Sequence, residues 1–197
     1  MTFEGIDGSG KTTQAELLVE ALRADGRTVV ATREPGGTPL GERVRALLLE
    51  HDVDVAPWAE AALFAAARAQ LVDEVIRPAL TEGADVVCDR YVDSSLAYQG
   101  IARGLGVEHV LELNLQATQQ LLPDRTFLVV LNAGEAARRS EGDADRIERE
   151  GTEFQASVGR AYEEVAEMFP ERITKLDGSR PAADLARIVR DGVRDLS

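Results

Sequence analysis

The segment Gly5–Thr12 constrains the fold of this chain more than any other feature. It reads GIDGSGKT and matches the pattern G-x-x-x-x-G-K-[ST] at every fixed position, between an apolar run and a stretch with helical periodicity. Glycines tolerate positive φ, so successive backbone N–H groups can converge on phosphate oxygens, and the following helix N-terminus adds its dipole. A strand, a phosphate-binding loop and a helix are therefore predicted in that order.

Two side chains of this segment extend the prediction from phosphate to a nucleotide. Lys11 is predicted to reach the β- and γ-phosphates, and the Thr12 hydroxyl is predicted to bind Mg²⁺. A glycine-rich turn without a ligand is the alternative, which the complete match in its strand-to-helix context disfavours. The sequence thus predicts a protein that binds a nucleoside triphosphate.

The rest of the chain alternates short apolar runs with longer helical periods, which indicates an α/β fold with a five-stranded parallel sheet flanked by helices. Residues 1–197 are predicted to form one domain, with ligands at the carboxyl ends of the strands. Strands are predicted at Thr2–Glu4, Arg27–Thr32, Ala84–Cys88, Thr126–Leu131 and Arg172–Leu176. Helices are predicted at Lys11–Ala24, Gly41–Leu49, Pro57–Leu80, Gly134–Arg139 and Ala182–Leu196. A further long helix is predicted from Arg146, because Asp145 and Glu148 have capping-box spacing.

Composition excludes some classes of function and indicates a compartment. The 197 residues carry a formal net charge of −13, which argues against general nucleic-acid binding. The lone cysteine, Cys88, cannot form an internal disulfide, so a reducing compartment is expected. Neither a signal peptide at Met1 nor an apolar stretch of membrane-spanning length is evident, so we expect a cytoplasmic protein with no membrane partner.

A GTP-binding switch is one interpretation of the triphosphate site. Thr174–Asp177 fits the guanine-reading pattern T-K-x-D. The only D-x-x-G sequence, Asp7 to Gly10, lies inside the phosphate loop itself. We therefore interpret Thr174–Asp177 as the end of a strand and a turn.

A kinase interpretation has more support, although each feature also has an ordinary structural explanation. Asp89 and Arg90 end the third predicted strand, where an acid can hold the water shell of Mg²⁺ and an arginine can bind phosphate bidentately. Phe64 and Arg68 share a helix face at i, i+4, as do Ser95 and Gln99. Taken alone, these residues would be a surface ion pair, a core ring beside a solvated arginine and an exposed polar face.

Several segments together resemble one family. FEGIDGSGKTTQ, TREPGGTPLGERVRALLL, LFAAARAQ, DRYVDSSLAYQG and DRIEREGTEFQASVGRAYEEVA are similar to bacterial thymidylate kinase, from Phe3 to about Asp177. The resemblance implies a P-loop nucleoside-monophosphate kinase fold and transfer of the γ-phosphoryl group of ATP to dTMP with Mg²⁺. It also implies a homodimer, for which the helices around Leu111 and Leu115 are a candidate surface. Another monophosphate or deoxynucleoside kinase is the alternative enzyme.

The resemblance also implies roles for individual residues. Phe64 would stack on thymine and Arg68 would bond its edge, whereas Arg45 and Arg90 would hold the acceptor phosphate. A lid at about 133–146, including Ser140–Ala144, would cover ATP. The phosphate loop carries no catalytic arginine, so Arg146 and its neighbours in the lid would supply it. The implied dTMP site is Asp7, Glu34, Arg45, Phe64, Arg68, Arg90, Ser95 and Gln99. The implied ATP site is Gly5, Ile6, Asp7, Gly8, Ser9, Gly10, Lys11, Thr12, Thr13, Arg138 and Arg139. The implied catalytic residues are Lys11, Arg146, Asp7 and Arg90, and the implied Mg²⁺ ligands are Thr12 and Asp89.

Overall fold

The chain forms one sheet of five parallel strands, as predicted. The computed structural model describes residues 1–50, 54–139, 146–194 and 196. The strands are β1 (Thr2–Glu4), β2 (Val29–Arg33), β3 (Asp85–Asp89), β4 (Thr126–Val130) and β5 (Ile173–Asp177). Their order is β2-β3-β1-β4-β5, so the short β1 lies at the centre and its carboxyl end is flanked by those of β3 and β4.

Helices cover both faces of the sheet. They are α1 (Lys11–Ala24), α2 (Pro39–Leu49), α3 (Pro57–Leu71), α4 (Arg77–Thr81), α5 (Val92–Ser95), α6 (Val107–Ala117), α7 (Ala133–Arg139), α8 (Thr152–Met168) and α9 (Ala182–Asp191). A π-helical segment, Val72–Ile76, joins α3 to α4, and a second one, Leu96–Ala102, extends α5. In the described part of the chain, no helix is both long enough and apolar enough to cross a membrane.

The core is divided by the sheet into two layers. On one face, Phe3 and Phe127 stack with ring centroids 5.3 Å apart and pack with α1 and α9. On the other face, α8 and the two π-helical segments pack over β3 and β4, with Leu96 and Val158 fully buried. Burial on both faces explains why these strands read as continuous apolar runs.

The predicted long helix from Arg146 is wrong. A turn at residues 146–147 leads into the 3-10 turn Glu148–Glu150, and α8 begins only at Thr152. Gly151 separates the two with φ +91°, a left-handed conformation that interrupts a helix. The predicted cap Asp145 and the predicted lid segment Ser140–Ala144 lie outside the described residues.

Other boundaries differ less. The predicted helix Pro57–Leu80 is continuous through Thr81 but includes a π-helical segment, and the closing helix ends at Asp191 instead of Leu196. Residues 174–177 lie within β5, at the edge of the sheet, in agreement with the interpretation as a strand end.

Candidate active site

The phosphate loop connects β1 to α1 beside the centre of the sheet. Gly8 and Gly10 have φ of +77° and +96°, so the backbone takes the left-handed conformations that glycine permits. Gly5 and Ile6, the first two residues of the loop, are both buried. The loop opens into a cavity, termed the donor cavity after the phosphoryl donor expected there. Its lining comprises Gly8, Ser9, Gly10, Lys11, Thr12, Thr13, Gln14, Arg139, Gly178, Arg180, Ala182 and Leu185.

We predict that Gly8→Ala unfolds more readily than the unchanged protein. A Cβ atom at this position would overlap the backbone carbonyl of Ala136, and φ is positive. Strain and overlap together are expected to lower the free energy of unfolding by about 2 kcal/mol or more, as measured by urea denaturation. Gly159→Ala is the control, because its Cβ meets no atom within 4 Å and its site lies in α8. A Gly8→Ala midpoint equal to that of the unchanged protein would contradict the conformation of the loop.

A second cavity, termed the acceptor cavity after the phosphoryl acceptor expected there, lies next to the loop, beyond the ends of β1, β2 and β3. Its lining comprises Asp7, Glu34, Pro35, Arg45, Leu49, Phe64, Arg90, Ser94, Ser95, Tyr98, Gln99 and Ile147. Seven of the eight residues expected in the dTMP site are among these. They come from the phosphate loop, the segments after β2 and β3, and helices α2 and α3, so folding brings together residues up to 92 positions apart, from Asp7 to Gln99.

Arg68 is the exception. It lies beneath the cavity with its side chain 1% exposed. Its Nε donates to Glu34 at 2.8 Å and its Nη2 to the Tyr91 carbonyl at 2.9 Å, while Nη1 donates to Ser95 at 3.0 Å and also to Asn114. With Nη2 also 2.5 Å from Glu34, all five N–H donors have protein partners. A bond from Arg68 to a base edge would require one of these partners to be exchanged.

Arg90 lines the acceptor cavity and is bonded to Asp7 of the phosphate loop. Its backbone has φ +69°, which is uncommon outside glycine and is found where the surrounding structure fixes it. Its Nη2 donates to Asp7 at 2.6 Å, and its Nη1 donates to the hydroxyls of Tyr162 at 2.9 Å and Ser94 at 3.4 Å. The guanidinium also lies 5.5 Å from the centroid of Tyr98.

Asp7 bridges the two cationic side chains of the site. Its Oδ1 accepts hydrogen bonds from Arg90 and, at 3.0 Å, from the Lys11 ammonium. Burial favours the neutral acid, but Arg90 and Lys11 outweigh it and hold the pKa of Asp7 well below its ordinary value. Burial and the nearby Arg90 lower the pKa of Lys11, while Asp7 opposes them. Asp7 is therefore an anion that keeps Lys11 and Arg90 side by side.

Glu4 is a second carboxylate, fully buried and linked to Arg90 through the Ser94 and Tyr162 hydroxyls. Desolvation and the neighbouring Asp93 raise its pKa to about 7, although Ser94, Arg90 and the Tyr91 amide favour the anion. The carboxylate accepts hydrogen bonds from the Tyr91 amide and the Ser94 and Tyr162 hydroxyls.

Thr12 and Asp89 meet at the end of β3, as expected of a shared cation site. The Thr12 hydroxyl donates to Asp89 Oδ2 at 2.5 Å, whereas the buried Asp89 Oδ1 has no hydrogen-bond partner among the described residues. A hydroxyl beside an unpaired carboxylate oxygen fits Mg²⁺, which prefers oxygen ligands and retains much of its water. Within the described ranges, no group of three or more His, Cys, Asp or Glu side chains could hold a metal by itself.

The three arginines near the predicted lid have different surroundings. Arg139 lines the donor cavity and donates to the Gly178 carbonyl at 3.0 Å. Arg138 is exposed at the end of α7 and is not part of that lining. Arg146 donates to Glu60 at 2.6 Å and to the Leu48 carbonyl at 2.8 Å, on the side of the acceptor cavity.

Sequence reasoning missed several residues of this site, four of which form the polar surroundings of Arg90. Ser94 and Tyr98 line the acceptor cavity, and their i, i+4 spacing parallels that of Ser95 and Gln99, so the same argument could have found them. Tyr162 and Glu4 contact the site only through long-range packing, which local spacing does not reveal.

The sequence of the chain is similar to those of known proteins of one family. A family model described as thymidylate kinase matches residues 3–188. A thymidylate kinase of Bifidobacterium longum subsp. infantis is 47% identical over 208 residues, covering 100% of this chain and 89% of its own. One from Caldanaerobacter subterraneus subsp. tengcongensis is 44% identical over 196 residues, covering 99% and 94%. One from Pelotomaculum thermopropionicum is 50% identical over 184 residues, covering 91% and 85%.

Proposed function

The chain belongs to the thymidylate kinase family and is a dTMP kinase, which transfers a phosphoryl group from ATP to dTMP; from this premise, we propose that ATP occupies the donor cavity and dTMP the acceptor cavity. The observation that carries the proposal is the bridge through Asp7. This residue lines the acceptor cavity and is bonded to Lys11, which lines the donor cavity. The phosphates of both substrates can therefore meet at one place.

The residues around this meeting point suit in-line phosphoryl transfer. An oxygen of the dTMP phosphate attacks the γ-phosphorus of ATP, and the bond from that phosphorus to the bridging oxygen breaks to release ADP. Catalysis of this reaction consists mainly of positioning the two anions and neutralising their charge. Lys11 would bind the donor phosphates, Arg90 and Arg45 would hold the acceptor phosphate, and Asp7 would keep Lys11 and Arg90 aligned.

The acceptor cavity offers a place for a base as well as for a phosphate. Phe64 lies on its wall and presents a ring on which thymine can stack, while Ser95 and Gln99 supply hydrogen-bonding groups. Glu34 contributes a carboxylate whose Oε1 is buried and unpaired among the described residues, so it can accept a hydrogen bond from the ligand.

Mg²⁺ is proposed as the cofactor, held by Thr12 and Asp89. When bound, it would supply positive charge beside the phosphates of ATP. The part played by the chain is to orient the two oxygen ligands through the hydrogen bond from Thr12 to Asp89.

An acceptor panel tests the assignment of substrates. ADP production is measured in a coupled assay with ATP and each common nucleoside monophosphate in turn. We expect dTMP to give the largest kcat/KM and the other monophosphates to give far less. A stronger preference for another monophosphate would favour the related kinases, whereas tight binding of GTP and GDP without any acceptor would favour the switch.

Arg146 is proposed as the cation that neutralises the moving phosphoryl group, and its variant gives a direct prediction. To reach this group, its guanidinium must leave Glu60 and the Leu48 carbonyl. Arg146→Ala is expected to lower kcat about a hundredfold with little change in KM for dTMP, because the contact would exist only in the transition state. Arg138→Ala and Arg139→Ala are the matched variants and are expected to be milder. A raised KM with unchanged kcat would instead place Arg146 in the acceptor site.

A homodimer in the cytoplasm is the proposed working form. Trp58 on α3 is 50% exposed and its ring lies 6.5 Å from that of His109 on α6, the helix that also carries the half-buried Leu111 and Leu115. We propose that this exposed ring contributes to the subunit contact. Light scattering of the unchanged protein and of Trp58→Glu tests this surface: we expect a dimer and a monomer, respectively.

The buried free thiol of Cys88 is compatible with a reducing compartment.

A further inference from the structure

A chain of hydrogen bonds runs from Arg90 into the core and ends at Glu4. Glu4 is the last residue of β1 and is 0% exposed. Its Oε2 accepts from the Ser94 hydroxyl at 2.6 Å and from the Tyr162 hydroxyl at 3.1 Å, and these two hydroxyls lie 2.8 Å apart. Both are also within hydrogen-bonding distance of Arg90 Nη1. The hydroxyl pair Ser94 and Tyr162 therefore separates a buried carboxylate from the guanidinium that faces the acceptor cavity.

The protons in this chain can point in only one direction. A guanidinium has donors and no acceptor, and each hydroxyl has a single proton. The hydroxyl oxygens must therefore accept from Arg90, and their protons must point away from it, towards Glu4 directly or through one another. A carboxylate satisfies this arrangement because it only accepts. It also receives the Tyr91 amide at 2.7 Å, so both of its oxygens are engaged.

We propose that Glu4 is a positioning residue for the acceptor phosphate: its carboxylate orients the hydroxyls of Ser94 and Tyr162, and these fix the Arg90 guanidinium for binding the phosphate of dTMP. The inference rests on the role proposed above for Arg90. Asp7 holds Nη2 at 2.6 Å and the hydroxyl pair holds Nη1, so the plane of the guanidinium is fixed from both ends. A guanidinium fixed in this way can bind a phosphate bidentately without first losing side-chain freedom.

Glu4→Gln is the most informative variant. It keeps the size of the side chain but places a donor where the hydrogen-bond chain ends in a carboxylate acceptor. If the amide nitrogen faces the hydroxyls, it donates a hydrogen bond to them. The hydroxyl protons then point towards Arg90, where an O–H and an N–H donor oppose each other. If the amide is flipped, its nitrogen opposes the N–H of Tyr91 instead. Either arrangement leaves one buried donor without an acceptor, and the cost falls on Arg90 or on the backbone that follows it.

The experiment compares two ligands that differ only in the phosphate. Dissociation constants of dTMP and thymidine are measured by calorimetry at about pH 8, above the pKa of Glu4. Glu4→Gln is expected to weaken dTMP binding about tenfold and to leave thymidine within about twofold of the unchanged protein. Thr2→Val is the matched control. It removes a buried hydroxyl, bonded to Thr126 at 2.8 Å, from the same strand, and should leave both constants unchanged.

A second variant keeps the test decisive if Glu4→Gln does not fold. Tyr162→Phe removes one hydroxyl of the pair and is expected to weaken dTMP binding about fivefold, again without effect on thymidine. The double variant should be no weaker than Glu4→Gln alone, because both changes interrupt one chain. Equal losses for dTMP and thymidine, or no loss in either single variant, would overturn the inference.

Measurements on Arg90→Lys distinguish a failure of this inference from a failure of the phosphate role proposed for Arg90. If Arg90→Lys leaves dTMP binding unchanged, the phosphate role of Arg90 is wrong and the role of Glu4 falls with it. If Arg90→Lys weakens dTMP binding but Glu4→Gln and Tyr162→Phe do not, Arg90 keeps its role and only the positioning by Glu4 is wrong.

Discussion

Lys11→Ala is expected to reduce phosphoryl transfer to near the limit of detection while dTMP still binds. Lys11 is 6% exposed in the donor cavity, and the acceptor cavity does not include it. Loss of one such group removes about 3 kcal/mol or more of transition-state stabilisation, which corresponds to more than about a hundredfold in kcat. Steady-state kinetics with saturating dTMP and varied ATP measures the effect.

The removal of Lys11 also leaves Asp7 with one cationic neighbour instead of two, so the variant needs a control for the acceptor side. Calorimetry with dTMP alone provides this control. The variant Lys11→Arg shows whether a positive charge without the ammonium geometry is sufficient for phosphoryl transfer. We expect dTMP affinity to stay within about threefold in Lys11→Ala, because Arg90 still pairs with Asp7. Turnover near that of the unchanged protein would contradict the assignment of the phosphate loop.

The parts of the fold that could be predicted are those written in local sequence. The bounds of β1 and α1 agree with the structure at every residue, since an apolar run, glycines and an i, i+3, i+4, i+7 pattern lie side by side there. The start of α8 could not be predicted in this way. Asp145 and Glu148 have the spacing of a capping box, but Gly151 adopts φ +91° and the helix begins after it. A local cap signal was outweighed by a glycine six residues later.

The same distinction applies to the site. Lys11, Thr12 and Arg90 could be predicted because strand ends and loops lie at known places in a parallel sheet. The family resemblance supplied Glu34 and Arg45, which no local pattern singles out. The hydrogen bonds that occupy the Arg68 guanidinium could not be predicted. Their acceptors include Glu34 and Asn114, which come from two other segments of the chain and reach Arg68 only in the folded structure.

Arg90→Lys is the second large effect that we expect, and it tests geometry separately from charge. In the structure, Arg90 makes contacts in three directions: to Asp7, to the Ser94 and Tyr162 hydroxyls, and over the ring of Tyr98. An ammonium is a point charge with three donors, so it cannot hold Asp7 and both hydroxyls while binding a phosphate through two parallel N–H groups. The variant therefore retains the charge and loses the orientation.

The expected result is a fall in kcat/KM for dTMP of about a hundredfold or more in Arg90→Lys, and of about a thousandfold in Arg90→Ala, because loss of a buried charged contact costs about 2–5 kcal/mol. Thymidine should bind the unchanged protein and both variants equally weakly, since it lacks the phosphate. KM for ATP should change little, because the donor cavity does not include Arg90. If the variants lose thymidine binding in proportion to dTMP binding, Arg90 serves the nucleoside, and the acceptor phosphate must then be held by Arg45, which also lines the cavity.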